Sequence, residues 1–234
     1  MTRSTSSRPN TFISLVAWLL PHTPIKVWLL RRLGHTISDT ARIGPNLVLG
    51  CGTFTVGAGS IVSPFNVFRS ASRIEIGDGV FIGRLNQVTA APAYQEFSDR
   101  CGVLVMGDES IITNRHYFDV SGRIELDRRA GIGGIRTVMQ SHEIDIVANE
   151  TTVGIVRIGE NAMLATACLV LKDARVPAYS IVAAGSTVTA ARPDEELPQG
   201  LYAGSPARWR KDLPDCSWWH RDGFFTPVRE VRDL

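Results

Sequence analysis

The chemistry open to this sequence depends first on its histidines, because imidazole exchanges protons more readily near neutral pH than other side chains. The histidines are His22, His35, His116, His142 and His220. His142 lies in the segment QSHEID (140–145), directly before residues 145–157, which follow no regular pattern. A side chain at such a boundary is expected near a corner and facing outward. His142 is therefore the candidate general base, although a lone histidine is more often an ordinary surface residue.

A second group of candidate residues lies in the segment NRHYFD (114–119). His116 could be catalytic, could bind a ligand, or could simply cap a corner of the chain. Asn114 could donate a hydrogen bond to a developing negative charge, but asparagine is also a common corner residue. Asp119 and Glu143 could bind an acceptor substrate or orient a histidine ring, and the alternative for both is a solvated carboxylate.

The remaining polar composition argues against a metal site or a nucleic-acid partner. No two histidines have the His-x4-His spacing of a metal pair, and the sequence contains no Cys-x2-Cys motif. The widely spaced cysteines are typical of reduced thiols in a cytoplasmic protein. The net charge is only +2, so any basic binding site must be local.

A six-residue spacing of aliphatic residues indicates the elements that must position these candidates. Neither a 3.6-residue helix period nor a long alternating strand produces such a spacing, whereas short strands joined by tight corners do. Three steps would complete one coil of a solenoid with an aliphatic core. The longest series is Ile158, Leu164, Val170, Val176, Val182 and Val188. Further series are Val120, Leu126, Ile132, Val138 and Ile144, with shorter runs Ile43–Leu49, Val56–Val62, Ile76–Ile82–Val88 and Met106–Ile112–Phe118.

The rhythm divides the chain into three parts. Residues 1–40 form a loose tail and a helical lead-in, with helices expected at Phe12–Leu20 and Pro24–Leu33. Residues 41–190 form the solenoid, which two inserted loops interrupt at 89–102 and 145–157. Residues 191–234 form an arm and an aromatic tail that packs on the solenoid or on a neighbouring subunit. Insertions on one face of a solenoid often build its binding site.

The apolar lead-in, residues 11–33, also predicts a weak contact with a membrane surface. Its first apolar run stops at Pro21, well short of the ~20 residues that span a bilayer. Trp18, Trp28, Arg31 and Arg32 would suit a lipid interface, although packing on the first coil is the main expectation. We therefore expect a cytoplasmic protein, with peripheral attachment to the inner face of the membrane as an option.

Two long segments carry a resemblance to a known family. The hexads, the string IGENAMLATACLVLKDARVPAYSIVAAGSTVT and the closing LYAGSPAR resemble the hexapeptide-repeat acyltransferases over residues 43–212. The lead-in and the stretch ITNRHYFDVSG…TVMQSHEIDI are similar to the sugar and polysaccharide O-acetyltransferase branch, which includes maltose and galactoside O-acetyltransferases. The resemblance implies a left-handed parallel β-helix, a homotrimer with sites between adjacent solenoids, an acetyl-CoA donor, and a catalytic histidine at the position of His142.

The resemblance also implies residues that bind coenzyme A. Positions along its pantetheine arm match Thr166, Ala184 and Thr189, which would act through their backbone. The family's phosphate-binding cations match Arg208 and Lys211, which otherwise belong to a solvated basic tail. The lysine that usually follows the Val-Thr of this region is Ala190 here, and Arg192 could compensate for it.

The predicted function is acetyl-CoA-dependent O-acetylation of a sugar or saccharide hydroxyl, with His142 as general base and no covalent enzyme intermediate. N-acetylation of an amino sugar or sugar nucleotide is the first alternative, because the same base can deprotonate an amine. A non-catalytic structural β-solenoid is the second. A zinc hydratase of the same fold would need histidine spacings that this chain lacks.

Overall fold

The computed structural model of this chain describes residues 11–192 and 194–223. The tail expected at residues 1–10 and the aromatic residues Phe224 and Phe225 lie outside the described residues. The described helices are α1 (Thr11–Leu19) and α2 (Pro24–Arg32), with 3₁₀ turns at Pro92–Glu96 and Ser217–His220. Both helices fall where the sequence predicts them.

Short strands occupy most of the remaining described chain. In the first half they are β1 (Thr36–Ile37), β2 (Arg42–Ile43), β3 (Leu47–Leu49), β4 (Thr53–Val56), β5 (Ile61–Val62), β6 (Val67–Arg69), β7 (Arg73–Ile76), β8 (Phe81–Ile82), β9 (Gln87–Thr89), β10 (Val103–Met106), β11 (Ile111–Ile112) and β12 (Tyr117–Asp119). In the second half they are β13 (Arg123–Leu126), β14 (Gly131–Ile132), β15 (Val138–Gln140), β16 (His142–Asp145), β17 (Glu150–Val153), β18 (Ile155–Ile158), β19 (Met163–Leu164), β20 (Leu169–Val170), β21 (Arg175–Val176), β22 (Ile181–Val182), β23 (Thr187–Val188), β24 (Leu201–Ala203) and β25 (Arg208–Lys211).

Each turn of the chain adds one parallel strand to each of sheets A, B and C. Sheet A runs β1-β4-β7-β10-β13-β18-β21, sheet B runs β2-β5-β8-β11-β14-β19-β22-β24-β25, and sheet C runs β3-β6-β9-β12-β15-β20-β23. Val56 pairs with Ile76, and Ile158 pairs with Val176, so one coil shortens from 20 to 18 residues along the solenoid. Within each sheet, every strand except the first and the last pairs with a strand of the coil on either side. This pairing satisfies the backbone hydrogen-bonding groups of a solenoid.

The core is a column of aliphatic side chains inside this triangle. All six residues of the series from Ile158 to Val188 are buried, so that part of the prediction is confirmed. The four-residue strands of sheet A insert two residues each, such as Ile124 and Leu126, whereas two-residue strands such as β5 and β8 of sheet B insert one.

The predicted spacing is wrong at Leu49, Val138 and Ile144. Val48 and Met139 are the buried residues of their strands, and Ile144 is 69% exposed. Ile144 lies in β16, which pairs with β17 in a hairpin outside the three sheets. For Leu49 and Val138 the reason is the length of the corner between sheets B and C. Its usual form places inward residues six apart, but the corner is one residue shorter after Ile43 and one longer after Ile132.

The helices α1 and α2 cap the first coil. Thr23 accepts a hydrogen bond from the Lys26 amide (3.2 Å) at the start of α2, where Pro24 fits the first helical position. The Lys26 ammonium is fully buried and donates to the carbonyl oxygens of Trp18 (2.8 Å), Leu20 (2.8 Å) and Gly44 (2.7 Å). Burial lowers the pKa of Lys26 to about 8. These bonds tie both helices to the solenoid.

The C-terminal arm returns to the solenoid. β24 pairs with β22, and β25 folds back on β24 as an antiparallel hairpin at the end of sheet B. Farther on, the Arg221 guanidinium donates to the main-chain oxygen of Arg129 (2.6 Å), and the Trp219 ring meets Tyr179 edge-on at 5.6 Å. Residues 217–221 therefore pack along the outside of the A–B corner.

Candidate active site

The candidate residues of highest interest gather at the corner that joins sheet C to sheet A. A regular coil makes this corner with three residues, as at 120–122. The preceding coil expands it to residues 90–102, the first excursion, and the following coil expands it to residues 141–154, the second excursion. The second excursion contains the β16–β17 hairpin, and Ile155–Ile158 already pair with β13. The insertion thus begins and ends about three residues before the predicted 145–157.

Asp119 and His142 form a hydrogen-bonded pair at this corner. Asp119 ends β12 and is buried, whereas His142 begins β16 one coil later and its side chain is 34% exposed. The ring Nδ1 of His142 lies against Oδ2 of Asp119 at hydrogen-bonding distance. Donation by Nδ1–H to this carboxylate leaves the lone pair on Nε2 of the ring.

Neighbouring residues fix the carboxylate of Asp119 by hydrogen bonds. Its Oδ1 accepts hydrogen bonds from the backbone amide (3.0 Å) and the hydroxyl (2.5 Å) of Ser121. The Ser141 hydroxyl donates to the main-chain oxygen of Asp119 (2.6 Å) and accepts from the Gly122 amide (2.8 Å). A buried carboxylate with its oxygens engaged in this way fixes the plane and position of the histidine that it contacts.

The first excursion brings an aromatic side chain to the same place. The Tyr94 ring lies 5.9 Å from the His142 ring, at an interplanar angle of 42°. The excursion is anchored by the Ala91 amide, which donates to the Ser121 hydroxyl (2.9 Å), and by the Gln95 side chain, which donates to the Ser70 main-chain oxygen (2.6 Å). Ser121 therefore connects the support of Asp119 to the loop that carries Tyr94.

This arrangement has the parts of a general base. A buried carboxylate orients an imidazole, and no described residue hydrogen-bonds to Nε2 of that imidazole. A hydroxyl or amine placed at Nε2 could lose its proton to the ring, and Asp119 would stabilise the positive charge that results.

His116 lies apart from this pair and belongs to a ladder inside the B–C corner. In this ladder, a side chain of each coil accepts a hydrogen bond from the backbone amide of the next. The ladder members are Asn46, Asn66, Asn86, His116, Thr137 and Cys168, with distances of 2.8 to 3.3 Å. His116 Nδ1 accepts from the Thr137 amide (3.1 Å), and its Nε2 lies 2.9 Å from the Thr113 hydroxyl.

The surroundings of His116 suit a structural role. The side chain is 2% exposed, and burial lowers its pKa to about 4, with a smaller opposing effect of the Gly134 backbone. A neutral ring with both nitrogens engaged has no atom left for a substrate proton. The geometry therefore favours the corner-capping interpretation of His116 over the catalytic one.

Asn114 and Glu143 are also held by other partners. Asn114 lies at the B–C corner, where its Oδ1 accepts from the Arg84 amide (2.7 Å), so it does not meet His142 within one chain. Glu143 follows His142 but turns to the Lys172 ammonium (3.1 Å), which also contacts Asp173 (2.7 Å). Of the carboxylates proposed to orient a histidine, Asp119 contacts the ring of His142, and Glu143 is paired with Lys172.

Comparison with solved structures identifies the architecture. The polysialic acid O-acetyltransferase OatWY matches with a TM-score of 0.55 over 86% of this chain and 90% of its own, at 14% identity. The chain has the left-handed β-helix fold. A serine-to-alanine mutant of AntD, an N-acyltransferase from Bacillus cereus in complex with dTDP-4-amino-4,6-dideoxyglucose and coenzyme A, matches with a TM-score of 0.52 over 83% of this chain and 91% of its own, at 15% identity. No protein-family model matches the sequence, and no curated protein matches it significantly.

Within the left-handed β-helix, the residues that match the coenzyme A positions lie toward its C-terminal end. Thr166 and Ala184 are exposed on successive B–C corners. These corners lie at the start of the strands of sheet C, whereas His142 lies beyond their end. Thr189 and Arg208 line one cleft beneath the arm, and Lys211 lies exposed at the end of β25. One chain does not gather these residues around His142.

Several residues of the site have no counterpart among the sequence-based candidates. They are Tyr94, Ser121 and Ser141, which contact or support the Asp119–His142 pair, and Lys172, which holds Glu143. Ser141 stands next to His142 in the sequence, so its position was a usable signal. Within the described ranges, no cluster of three or more metal-ligating side chains is present.

Proposed function

We propose that this protein is an acyl-CoA-dependent acyltransferase that O-acetylates a saccharide hydroxyl. The observation that carries the proposal is the Asp119–His142 pair, with a buried carboxylate at Nδ1 and no described partner at Nε2. A β-helix with a purely structural role does not require an imidazole whose Nε2 is open at an exposed corner. The likeness to OatWY, described as an O-acetyltransferase, supports the choice of reaction class.

In this proposal His142 accepts and then returns one proton. Its Nε2 removes the proton of the acceptor hydroxyl while the oxygen forms a bond to the thioester carbonyl carbon. As the tetrahedral intermediate collapses, the carbon–sulfur bond breaks, and the imidazolium gives the proton to the departing thiolate. Asp119 stabilises the imidazolium between the two transfers, and the activated thioester makes a covalent enzyme intermediate unnecessary.

The donor would lie along the C-terminal coils, with its phosphates near Arg208 and Lys211. These side chains are exposed on β25, where cations are available to an anionic ligand. Backbone groups at Thr166, Ala184 and Thr189 would bind the pantetheine arm. Because Thr166 and Ala184 lie across sheet C from His142, a donor that touches both needs a second chain.

A homotrimer would provide that second chain, and the outer face of sheet B supports it. From β5 to β24 the outward residues of this sheet form an apolar column, in contrast to the charged outer face of sheet A with its Arg123–Glu125–Arg157 ion pairs. An apolar stripe on an otherwise polar solenoid is typical of a surface that another chain covers. The column consists of Ile61, Phe81, Ile111, Gly131, Met163, Ile181 and Leu201.

The acceptor would bind between the two excursions, above the His142 ring. Tyr94 offers an aromatic face of the kind on which a sugar ring can stack. Both excursions leave the corner between sheets C and A. One lies in the coil before the short corner 120–122 and the other in the coil after it, so both can contact one ligand.

N-acylation of an amino sugar is the second candidate. The likeness to AntD, an N-acyltransferase crystallised with an amino-sugar nucleotide, is the observation that favours it. The chemistry at His142 would be the same, because an amine that attacks a thioester also loses a proton.

The experiment is an acyl-transfer assay with purified protein and acetyl-CoA, in which free thiol is measured against paired panels of neutral and amino saccharides. Products are then treated with alkaline hydroxylamine, which cleaves oxygen esters and leaves amides intact. Thiol release with ester formation supports O-acetylation, and an amide product supports the second candidate. Absence of acceptor-dependent thiol release across both panels would overturn the enzymatic function.

A further inference from the structure

The cap formed by α1 and α2 has a second apolar face that points away from the solenoid. α1 carries no charged residue. Its inward side chains are Ser14, Ala17 and Trp18, which are buried. Its outward side chains, which are largely exposed, are Phe12, Ile13, Val16 and Leu19. A helix without charged residues whose outward side is apolar is expected in a protein core or in contact with lipid, yet this side of α1 is exposed.

α2 extends the same exposed surface. Lys26, Val27 and Leu30 face inward and are buried, whereas Ile25 and Trp28 are 68% and 55% exposed. Since α1 and α2 contact each other and both pack on the first coil, their outward residues belong to one surface. We call this surface, made of Val16, Leu19, Ile25 and Trp28, the cap face. The prediction that Trp18 contributes to it is wrong, because that ring is 1% exposed and stacks on Phe54.

Arg32 carries the positive charge beside the cap face, because the charge of Arg31 is balanced by an ion pair. The first acidic residue of the sequence is Asp39, which pairs with Arg31 (2.7 Å). The Arg32 guanidinium lies 5.4 Å from the centre of the Trp28 ring. The Lys26 charge is enclosed by carbonyl oxygens and does not contribute to the outer surface.

The cap face is also held in a fixed orientation. The three hydrogen bonds of the Lys26 ammonium join the end of α1 to the first coil, and the Asn46 amide donates to the main-chain oxygen of Trp18 (3.0 Å). The exposed apolar side chains therefore lie on an anchored element of structure, and their exposure is a property of the fold.

We propose that the cap face binds the surface of an anionic lipid bilayer. Apolar and aromatic side chains would enter the boundary between headgroups and acyl chains, and Arg32 beside them would contact lipid phosphates. A tryptophan with a neighbouring arginine suits this boundary, because each has an apolar part and a polar end. Among the described residues no helix is long and apolar enough to cross a membrane.

The charge distribution favours lipid over a second copy of this chain. A symmetric contact between two cap faces would bring Arg32 of each copy toward Arg32 of the other, which is unfavourable. An anionic bilayer offers the opposite charge together with an apolar layer, and it matches both properties of the surface.

Vesicle flotation with the full-length protein tests the proposal. Vesicles of phosphatidylcholine alone are compared with vesicles of phosphatidylcholine and phosphatidylglycerol in equal amounts, at low and high salt. We expect at least tenfold more bound protein with the anionic vesicles, and a marked reduction at high salt. Equal binding to both vesicle types, or no binding to either, overturns the proposal.

Matched variants locate the contact. The double variant Ile25→Ser with Trp28→Ser should reduce binding at least tenfold, whereas Phe97→Ser, a change of another large exposed side chain on the first excursion, should not. Equal loss in both variants, or retention in the double variant, contradicts the proposal. If the double variant changes in oligomeric mass but not in flotation, another copy of the chain covers the cap face, and the proposal of lipid binding is overturned as well.

Fluorescence gives a readout that does not depend on the stability of the double variant. Lipids brominated on their acyl chains should quench tryptophan emission of the bound wild-type protein, because Trp28 enters the bilayer boundary. The variant Trp28→Phe keeps an apolar ring and should lose most of this quenching. Unchanged quenching in Trp28→Phe would place the lipid contact elsewhere and contradict the proposal.

Discussion

The buried carboxylate of Asp119 holds the imidazole of His142, although 23 positions separate the two residues in the sequence. The solenoid brings them together, because β12 and β15 pair in parallel with Asp119 opposite Gln140, and His142 follows two residues later. The position of the candidate base is therefore set by strand register rather than by the hairpin that His142 begins.

His142→Gln should reduce the turnover of the proposed reaction by at least ~10²-fold, because glutamine cannot accept the proton. The Michaelis constant for acetyl-CoA should change little, since the donor phosphates bind elsewhere. Steady-state kinetics with the acceptor found in the panel assay measures both constants. His220→Gln, a change of an exposed histidine on the arm, is the matched control.

The role of Asp119 is tested in the same assay. Asp119→Asn should lower turnover, and the double variant with His142→Gln should be no worse than His142→Gln alone, because one residue acts through the other. Losses that multiply in the double variant would show that the two residues act independently. A His142→Gln enzyme with more than about a third of wild-type turnover would remove the residue from the mechanism.

Arg208→Ala combined with Lys211→Ala should raise the Michaelis constant for acetyl-CoA by ~5-fold or more, with little effect on turnover. Cations that bind phosphates far from the reacting carbon stabilise the ground state and the transition state equally. The effect should shrink as salt is added, because exposed charges are screened over ~8–10 Å. Arg42→Ala, an exposed arginine at the other end of sheet B, should leave the constant unchanged. An unchanged constant in the double variant at low salt would show that these side chains do not bind the donor.

Ile181→Asp should dissociate the proposed homotrimer and abolish activity together. The side chain lies between Met163 and Leu201 in the apolar column on sheet B, so a carboxylate there would be buried without a partner in the assembly. Light scattering measures the mass, and Glu125→Gln on the outer face of sheet A is the control. A wild-type protein that is an active monomer would refute the assembly.

Val170→Asp should destabilise the fold by several kcal/mol, because it buries an unpaired carboxylate in the core column. Val170 has no exposed surface, whereas Leu169 beside it faces outward from sheet C and is only half-buried. Leu169→Asp should therefore cost less. Thermal unfolding compares the two variants, and equal melting temperatures for Val170→Asp and wild type would invalidate the assigned register.

Stability should decrease as the pH falls from ~6.5 to ~4. Burial lowers the pKa of His116 and of His35 to about 4, so in this range the unfolded chain binds protons that the native state does not. A shift of this size corresponds to about 3 kcal/mol per residue. His116→Asn should reduce the loss, because Asn86 occupies the same ladder position one coil earlier without titrating.

Urea unfolding at pH 7 and pH 4 measures this difference, with the exposed His220→Asn as control. An identical pH dependence for His116→Asn and wild type would mean that His116 does not supply the sensitivity. Failure of His116→Asn to fold at pH 7 would contradict the role assigned to the ladder.

The regular part of the fold was predictable from single residues, because one inward aliphatic side chain per strand leaves a visible spacing. One residue more or fewer at a corner turns the other face of the following strand inward, and the residues of a corner do not by themselves fix its length. Leu49 and Val138 were therefore assigned to the wrong face of their strands. The series from Ile158 to Val188 gave the correct result because its corners have constant length.

The site was predictable where neighbours in the sequence are also neighbours in space. His142 stood at the start of an insertion, and its exposure follows from that position. The burial of His116 depends on contacts with Asn86 and Thr137, 30 and 21 positions away. The repeated asparagines at 46, 66 and 86 were a signal for this ladder, and the inserted loop before His116 concealed its continuation.

The two excursions leave every strand pair of the solenoid in register, since Ile74 pairs with Leu104 and Ile124 pairs with Val156 across them. Their length and composition can therefore change during evolution without disturbing the pairing that places Asp119 beneath His142. The same property makes both loops suitable for grafting: segments exchanged at residues 90–102 or after His142 would alter which acceptor is recognised, while proton transfer stays with the scaffold.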